Sequence, residues 1–347
     1  MKNDVKKIRV AGQTGYDVII GSQILSDTGA YLRGLFSPCK VAVITDDIVD
    51  GLYSDALIQS LKAQGFEVIK YVFENGEKSK NIGLYAQILE FLAQNGMTRS
   101  DKIIALGGGV VGDLAGFVAS TYLRGIAYVQ IPTTLLAQID SSVGGKTGVD
   151  LKEGKNLVGA IYRPCLVLCD IDLLNTLPNE VLACGKGELA KYAILDSAVY
   201  ELVMNNATLK DLVFACVSYK AKIVDLDECE SGLRMLLNLG HTPAHAIERL
   251  SGYTISHGIA VAMGLEIILC VSKKRGYIDQ TTFSKMKAVI NALVGRVDCP
   301  YDLTAIIENM GSDKKRAGDD INLVLPHAVG DCQIEKIPFN RLIEYFL

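Results

Sequence analysis

The sequence predicts an α/β N-terminal domain built on a parallel sheet, followed by an all-α C-terminal domain. Three observations predict it. Short apolar strand-like runs alternate with helical spacing over residues 1–175, one of those runs leads straight into consecutive glycines, and from about Pro178 onward only helical patterns recur. A chain of 347 residues exceeds one ordinary core and suits two domains. The change of pattern falls at Asn175-Thr176-Leu177-Pro178, which sets domains of 1–177 and 178–347.

The elements follow in order. Residues 41–45 (VAVIT) read as a buried parallel strand ending on Asp46-Asp47, and residues 66–73 (FEVIKYVF) as a second strand. Residues 81–94 have helical spacing. Residues 102–106 (KIIAL) form a strand that runs into Gly107-Gly108-Gly109. Strand, helix and strand in this succession are the mark of a parallel sheet. Beyond the junction, residues 180–195, 199–205, 209–225, 234–250 and 259–274 read as helices. No internal repeat and no low-complexity segment interrupts the pattern.

Composition narrows the function. With 49% hydrophobic and 21% charged residues the chain is neither disordered nor fibrous. A net charge of −4 argues against general nucleic-acid binding, though a local basic cluster can still hold an anionic substrate. Nine cysteines without a CxxC pair, several inside apolar runs, suit buried thiols in a reducing compartment, so a cytoplasmic location is expected. The start, MKNDVKKIRV, shows no secretory pattern, and no run of about 18 apolar residues predicts a membrane span.

Three constellations carry chemistry. Gly107 to Gly112 (GGGVVG) fits GxGxxG after a strand, where small residues let backbone amides approach a pyrophosphate. A tight strand–helix turn without ligand accounts for the same glycines. The acidic residue usual about 20 positions later is missing, and Asp46 is the better candidate for holding a ribose. Next, residues 130–156 (QIPTTLLAQIDSSVGGKTGVDLKEGKN) combine glycines, hydroxyls and Lys146, Lys152 and Lys155 into an anion cradle or, alternatively, a solvated loop. The P-loop pattern fails there, because Asp140 stands where its first glycine is required. Finally, His241 and His245 share a helix face and His257 follows. Spacing alone nominates these three as metal ligands, with Glu188 as a carboxylate alternative. An incidental polar helix face is the bland reading. His327 falls in an expected loop. The cleft between the two domains is the expected place for the site.

Over nearly its whole length the chain resembles the 3-dehydroquinate synthases. The stretches that carry the resemblance are GGGVVGDLAGFVASTYLRGI (107–126), QIPTTLLAQIDSSVGGKTGV (130–149), GKN (154–156), GELAKY (187–192), GLRMLLNLGHT (232–242) and SDKK (312–315). The resemblance implies NAD held by Asp46, Glu77, Lys80, Gly107, Gly108, Gly109, Asp113, Thr133, Thr134 and Lys155. It implies one divalent metal, Zn²⁺ or Co²⁺, on Glu188, His241 and His257. That assignment releases His245 for proton transfer, with Glu230 in the relay. Substrate would meet Arg124, Asp140, Lys146, Asn156, Lys191, Lys220, Arg234, Asn238 and Lys315 or its neighbour Lys314. The chain departs from the usual pattern at Lys186-Gly187, Pro243-Ala244, Ile259 and Asp46-Asp47-Ile48.

The resemblance further implies a lyase of the shikimate pathway that converts 3-deoxy-D-arabino-heptulosonate 7-phosphate to 3-dehydroquinate and phosphate. The implied steps are transient oxidation by NAD, phosphate elimination, reduction and an intramolecular aldol closure. A homodimer is implied too, with Arg124 reaching the partner's site. The alternatives are a related sugar-phosphate cyclase, a metal-dependent polyol dehydrogenase that consumes NAD, and a non-catalytic protein that kept the fold.

Overall fold

The computed structural model describes residues 4–12, 15–227, 232–310 and 320–347. The chain divides into two compact units, Met1–Leu177 and Pro178–Leu347.

The first unit contains strands β1 (Lys6–Val10), β2 (Tyr16–Gly21), β3 (Lys40–Asp46), β4 (Glu67–Phe73), β5 (Lys102–Gly107), β6 (Tyr128–Pro132), β7 (Lys146–Leu151), β8 (Gly154–Ile161) and β9 (Leu166–Asp170). Seven of them form one sheet in the order β1-β2-β9-β6-β5-β3-β4. All its pairs are parallel except β1 with β2. β5 and β9 are buried along their whole length, which explains their unbroken apolar sequences. From β3 the chain goes one way to β4 and then returns to the other side of β3 as β5. The order therefore reverses between β3 and β5. Asp46 ends β3 and Gly107 ends β5, so both lie at the carboxyl ends of the strands beside this switch point, where open α/β sheets bind ligands.

The stretch expected as a lysine-rich loop is more ordered than that. It holds β6, a wide helical turn at Ala137–Ser141, and an antiparallel hairpin of β7 and β8. Gly148 and Gly159 pair across this hairpin. A Cβ on Gly159 would lie 2.0 Å from the Thr147 carbonyl oxygen and one on Gly148 2.6 Å from the Val158 carbonyl oxygen, so Gly148, one of the glycines expected in a loop, is a strand residue in close backbone approach.

The second unit is helical, with Asn179–Leu195, Ser197–Met204, Leu209–Leu226, His241–Leu250, His257–Lys274, Gln280–Val294 and Leu303–Met310 as its main helices. Two expectations need correction. It is not all-α: β10 (Asp320–Ala328) and β11 (Asp331–Pro338) form an antiparallel hairpin. The alternation Ile321, Leu323, Leu325, each at most 1% exposed, has the strand period of two and was the available signal. His327 accordingly lies in a strand and stacks on Tyr277, with ring centroids 4.6 Å apart. The expected helix over 234–250 is also broken. Leu233–Asn238 is 3₁₀, and the α-helix starts only at His241, after Gly240 at φ 78°. That left-handed conformation suits glycine.

Helices Asn179–Leu195 and His257–Lys274 cross at a pair of glycines. A Cβ on Gly187 would lie 1.9 Å from the Gly258 carbonyl oxygen, and one on Gly258 would lie 1.7 Å from the Cys184 carbonyl oxygen. The Gly258 N–H also points to Cys184 Sγ at 3.3 Å. Backbone therefore packs on backbone at this crossing. The substitution Gly258→Ala must push the helices apart and is expected to cost about 1–3 kcal/mol, the usual range for overpacking. Gly34→Ala is the control, since nothing lies within 4 Å of a Cβ there and the residue sits in the Thr28–Leu35 helix. It should be neutral or stabilising by up to about 1 kcal/mol. Urea unfolding of both variants checks the pair; equal stability of Gly258→Ala and the parent chain would contradict the close crossing.

Candidate active site

The helix crossing places a carboxylate between two imidazoles. Glu188 follows Gly187, and His257 precedes Gly258. His257 Nε2 lies 3.0 Å from Glu188 Oε1, and His241 Nε2 lies 3.3 Å from the same oxygen. On the other side of the carboxylate, Lys191 Nζ is 2.7 Å from Oε2. Glu188 and Lys191 are each 1% exposed. Burial pushes the Glu188 carboxyl up, but Lys191 and His241 beside it outweigh burial and hold it well below the usual carboxylate range.

The remaining ring nitrogens are held from behind. His241 Nδ1 is 3.1 Å from the Leu239 carbonyl oxygen, and His257 Nδ1 is 3.4 Å from Glu248 Oε2. Both rings thus present Nε2 toward Glu188. An acceptor behind each imidazole is the usual way to orient metal-binding histidines. Glu188, His241 and His257 each offer a ligand atom, and these lie within 4.8 Å of one another. Two imidazoles and a carboxylate are the donor set of a catalytic zinc, so the residues fit a divalent metal. His245 stands apart. It is exposed, its ring centroid is 5.6 Å from that of His241, and it does not join the Glu188 group. Spacing alone had put it among the ligands.

The second unit also buries cations. Lys191, Lys220 and Arg234 are 1%, 6% and 3% exposed. Buried side chains of this kind occur where charges are met. The Arg234 N–H donates to Asp227 Oδ2, as does the Gly232 N–H, which fixes the entry to the 3₁₀ segment carrying Arg234 and Asn238. Glu230 and Lys315, with Lys314, lie outside the described residues.

In the first unit the glycine turn opens the Gly109–Thr121 helix without any side-chain cap. Its first internal bond runs from the Gly112 N–H to the Gly108 carbonyl, which leaves the earlier amides facing outward. A Cβ on Gly108 would lie 3.1 Å from Thr134 Cγ2, and one on Gly109 3.3 Å from Ser141 Oγ, so the cradle is lined by small groups. The Thr133 N–H donates to the Gly107 carbonyl and ties Thr133-Thr134 beside the turn. An uncapped helix N-terminus of small residues fits a dinucleotide pyrophosphate. Asp46 is partly committed, because its Oδ1 accepts from the Val49 N–H at 2.9 Å. Burial pushes its carboxyl up.

Five further candidates gather with the β7–β8 hairpin. Lys80 Nζ is 2.6 Å from Asp113 Oδ2 and also donates to Asn156 Oδ1, while Lys155 Nζ is 3.5 Å from Glu77. Burial pushes the Lys80 ammonium down, and Asp113 beside it reverses this and keeps it charged. Asn156 adopts φ 57°. Arg124, at φ 66°, projects from an exposed turn after the glycine helix. Lys146 is the exposed first residue of β7, and Asp140 sits in the Ala137–Ser141 turn. Among the described residues, no helix is long and apolar enough to cross a membrane.

A parallel sheet with an uncapped glycine turn at its switch point, and a separate helical unit carrying a Glu-His-His cluster, define the dehydroquinate synthase-like class of proteins. The sequence pattern described as 3-dehydroquinate synthase N-terminal matches residues 70–184, and that described as 3-dehydroquinate synthase C-terminal matches residues 185–316. The chain is 42% identical over 345 residues to the 3-dehydroquinate synthase of Streptococcus suis, covering 96% of this chain and 97% of that one. It is 42% identical over 348 residues to the 3-dehydroquinate synthase of Clostridium acetobutylicum, covering 96% and 97%. The chain belongs to the 3-dehydroquinate synthase family. Among solved structures, a 2-deoxy-scyllo-inosose synthase complexed with carbaglucose-6-phosphate, NAD⁺ and Co²⁺ superposes with a TM-score of 0.85 at 25% identity, covering 99% of both chains. A structure described as a probable glycerol dehydrogenase from Sinorhizobium meliloti shares the fold at a TM-score of 0.59 and 16% identity, covering 94% of this chain and 93% of that one.

Two predictions follow from the cluster. Glu188→Ala is expected to lose the metal, while His245→Ala keeps one equivalent, read by atomic emission on dialysed protein. Equal loss in both would favour the histidine-only ligand set. The second concerns protons. In the metal-free protein, burial pushes His257 down, but the carboxylates of Glu188 and Glu248 raise it from 6.5 to about 10. A raised folded-state pKa stabilises fully below 6.5, and that contribution is lost as pH rises through about 10. Its side chain is 31% exposed, so solvent screens part of the effect. A cation must displace this proton. Calorimetry at pH 7.5 in buffers of different ionisation enthalpy should therefore show proton release on Zn²⁺ binding, and release should vanish above pH 10. Binding without proton release at pH 7.5 would contradict the charged His257.

Proposed function

We propose that the chain converts 3-deoxy-D-arabino-heptulosonate 7-phosphate to 3-dehydroquinate and phosphate, as a cytoplasmic homodimeric lyase of aromatic amino acid biosynthesis. The observation that carries this reading is the buried Glu188, shared by His241 Nε2, His257 Nε2 and Lys191 Nζ, in a chain 42% identical to 3-dehydroquinate synthases over 96% of its length.

Glu188, His241 and His257 would hold one Zn²⁺ or Co²⁺, and the glycine turn with Asp46, Glu77, Lys80, Asp113, Thr133, Thr134 and Lys155 would hold NAD. When bound, the metal would supply polarisation of a substrate hydroxyl and the dinucleotide a hydride acceptor and donor. The chain's own residues bind, orient and move protons. Lys191, Lys220 and Arg234 supply buried positive charge for the substrate's anionic groups, with Asn238 donating from the adjoining 3₁₀ segment. Arg124, Lys146 and Asn156 add further donors, and Asp140 fixes a hydroxyl. Arg124 acts across the dimer, in the partner's site. His245, exposed beside the proposed metal ligands, takes the hydroxyl proton on its imidazole. Glu230 and Lys315 have the relay and substrate roles that the family pattern implies.

On this reading the dinucleotide would be regenerated in each turnover and needed only in catalytic amount. Phosphate release should proceed with no steady rise at 340 nm. One-to-one NADH formation would mark a polyol dehydrogenase instead. Substrate choice separates the remaining rival. Sedoheptulose 7-phosphate carries a hydroxymethyl group where the heptulosonate has its carboxylate, and would lose the charge-assisted contacts that Lys220 or Arg234 would make with that carboxylate. A site built for a polar group rejects an analogue lacking it by about 10⁴, so kcat/KM for sedoheptulose 7-phosphate is expected near background. Activity within about tenfold, roughly 1.4 kcal/mol, would place the chain among the other sugar-phosphate cyclases.

A further inference from the structure

His257 has two ring nitrogens, and a carboxylate faces each. Nε2 lies 3.0 Å from Glu188 Oε1, and Nδ1 lies 3.4 Å from Glu248 Oε2. Glu248 stands three residues after His245 in the His241–Leu250 helix, so the two side chains share a face. The His245 and His257 rings are 6.1 Å apart and 27° from parallel. His245, Glu248 and His257 each offer one ligand atom, and these atoms also lie within 4.8 Å of one another. This donor set shares only His257 with the Glu188 cluster.

The distances suit coordination. Around a tetrahedral Zn²⁺, with ligands at about 2.0–2.2 Å, neighbouring donor atoms stand about 3.3–3.5 Å apart. The Nδ1 to Oε2 separation of 3.4 Å falls in that span. A His and a Glu at i, i+3 on one helix, completed by a residue from another helix, is a recurrent metal-binding arrangement.

We propose that the protein has a second divalent-cation site, formed by His245, Glu248 and Nδ1 of His257. The proposal rests on the reading that the first cation takes Nε2 of His257. When the second cation binds, the N–H proton of His257 passes to solvent and the ring bridges the two cations as an imidazolate. No electron transfer is involved. Two imidazoles and one carboxylate select Zn²⁺ or Co²⁺, whereas Mg²⁺ wants an oxygen shell. The second cation binds more weakly than the first, because the two repel across one ring and His245 is exposed to water. Its occupancy ties up the imidazole that moves the substrate proton. Zinc beyond one equivalent is therefore an inhibitor, and the same ion that completes the enzyme shuts it down in excess.

The test is a titration of metal-free full-length protein with Zn²⁺ against a zinc-reporting chelator, with Mg²⁺ in parallel. The parent chain should bind two equivalents of Zn²⁺, the second at least tenfold more weakly, and Mg²⁺ should compete for neither. His245→Ala, at an exposed helix position, should bind one. Glu248→Gln should also lose the second equivalent. Phosphate release by the parent chain should fall over the range of the second equivalent and return when chelator removes it alone. If the parent chain binds a single equivalent, or His245→Ala still binds two, the proposal is overturned and Glu248 only orients the His257 ring. If even the first equivalent fails to bind, the Glu188–His241–His257 reading falls instead.

Discussion

Backbone contact between helices is the constraint on which the metal centre depends. Each of the three converging side chains is next in sequence to a glycine in such a contact. Glu188 follows Gly187, His241 follows Gly240, and His257 precedes Gly258. A Cβ on Gly264 would lie 2.1 Å from the Gly240 carbonyl oxygen, which repeats at the second junction what Gly187 and Gly258 do at the first. The His257–Lys274 helix thus touches the backbone of both segments that carry the other ligands. Long side chains at these positions would hold the helices at the ordinary interaxial distance of about 8–10 Å. Without them, short side chains such as Glu and His meet around one point, and each is rigid because its own backbone is clamped.

That clamp makes the electrostatics possible. Glu188 is an ionised carboxylate with almost no exposure, which is costly unless opposite charge stands close. Lys191 one turn along the same helix and the two imidazoles supply it. The cluster is a pre-set cage of mixed charge, in which a divalent cation can replace protons with little rearrangement. The first unit uses a related device. Glycines bring backbone amides to a ligand at the switch point between β3 and β5, and the charged residues Lys80, Asp113, Glu77 and Lys155 pair at the hairpin beside it. In both units the glycines set the positions and the charges act at them.

Much of this was legible in the sequence because the signals are local. The strand at 102–106 leading into Gly107 and the change of pattern at Pro178 each rest on adjacent residues. Other features needed the fold. The break at Gly240 inside an expected long helix was signalled by the glycine and by Pro243, but helical periodicity on either side masked it. The β7–β8 hairpin hid because its glycines pair across strands and so resemble a loop. The period-two alternation at 321–325 was visible but short. Histidine spacing alone could not show that His241 and His257 bring Nε2 to Glu188, since a shared helix face says nothing about which ring nitrogen turns toward a carboxylate 53 residues earlier in the chain than His241. Glu188 was readable only as a carboxylate alternative, family resemblance made it an expected ligand, and the tertiary contacts show it between the rings. Glu248, whose carboxylate faces His257 Nδ1, carries no motif of its own and was not among the candidates.

The most direct measurement is an anomalous-scattering map of crystals grown with one equivalent of Zn²⁺. The clamped cluster predicts a single peak about 2.0–2.2 Å from Glu188 Oε1, His241 Nε2 and His257 Nε2, with the flanking helices unmoved. A peak bonded to His245 in place of Glu188 would contradict it.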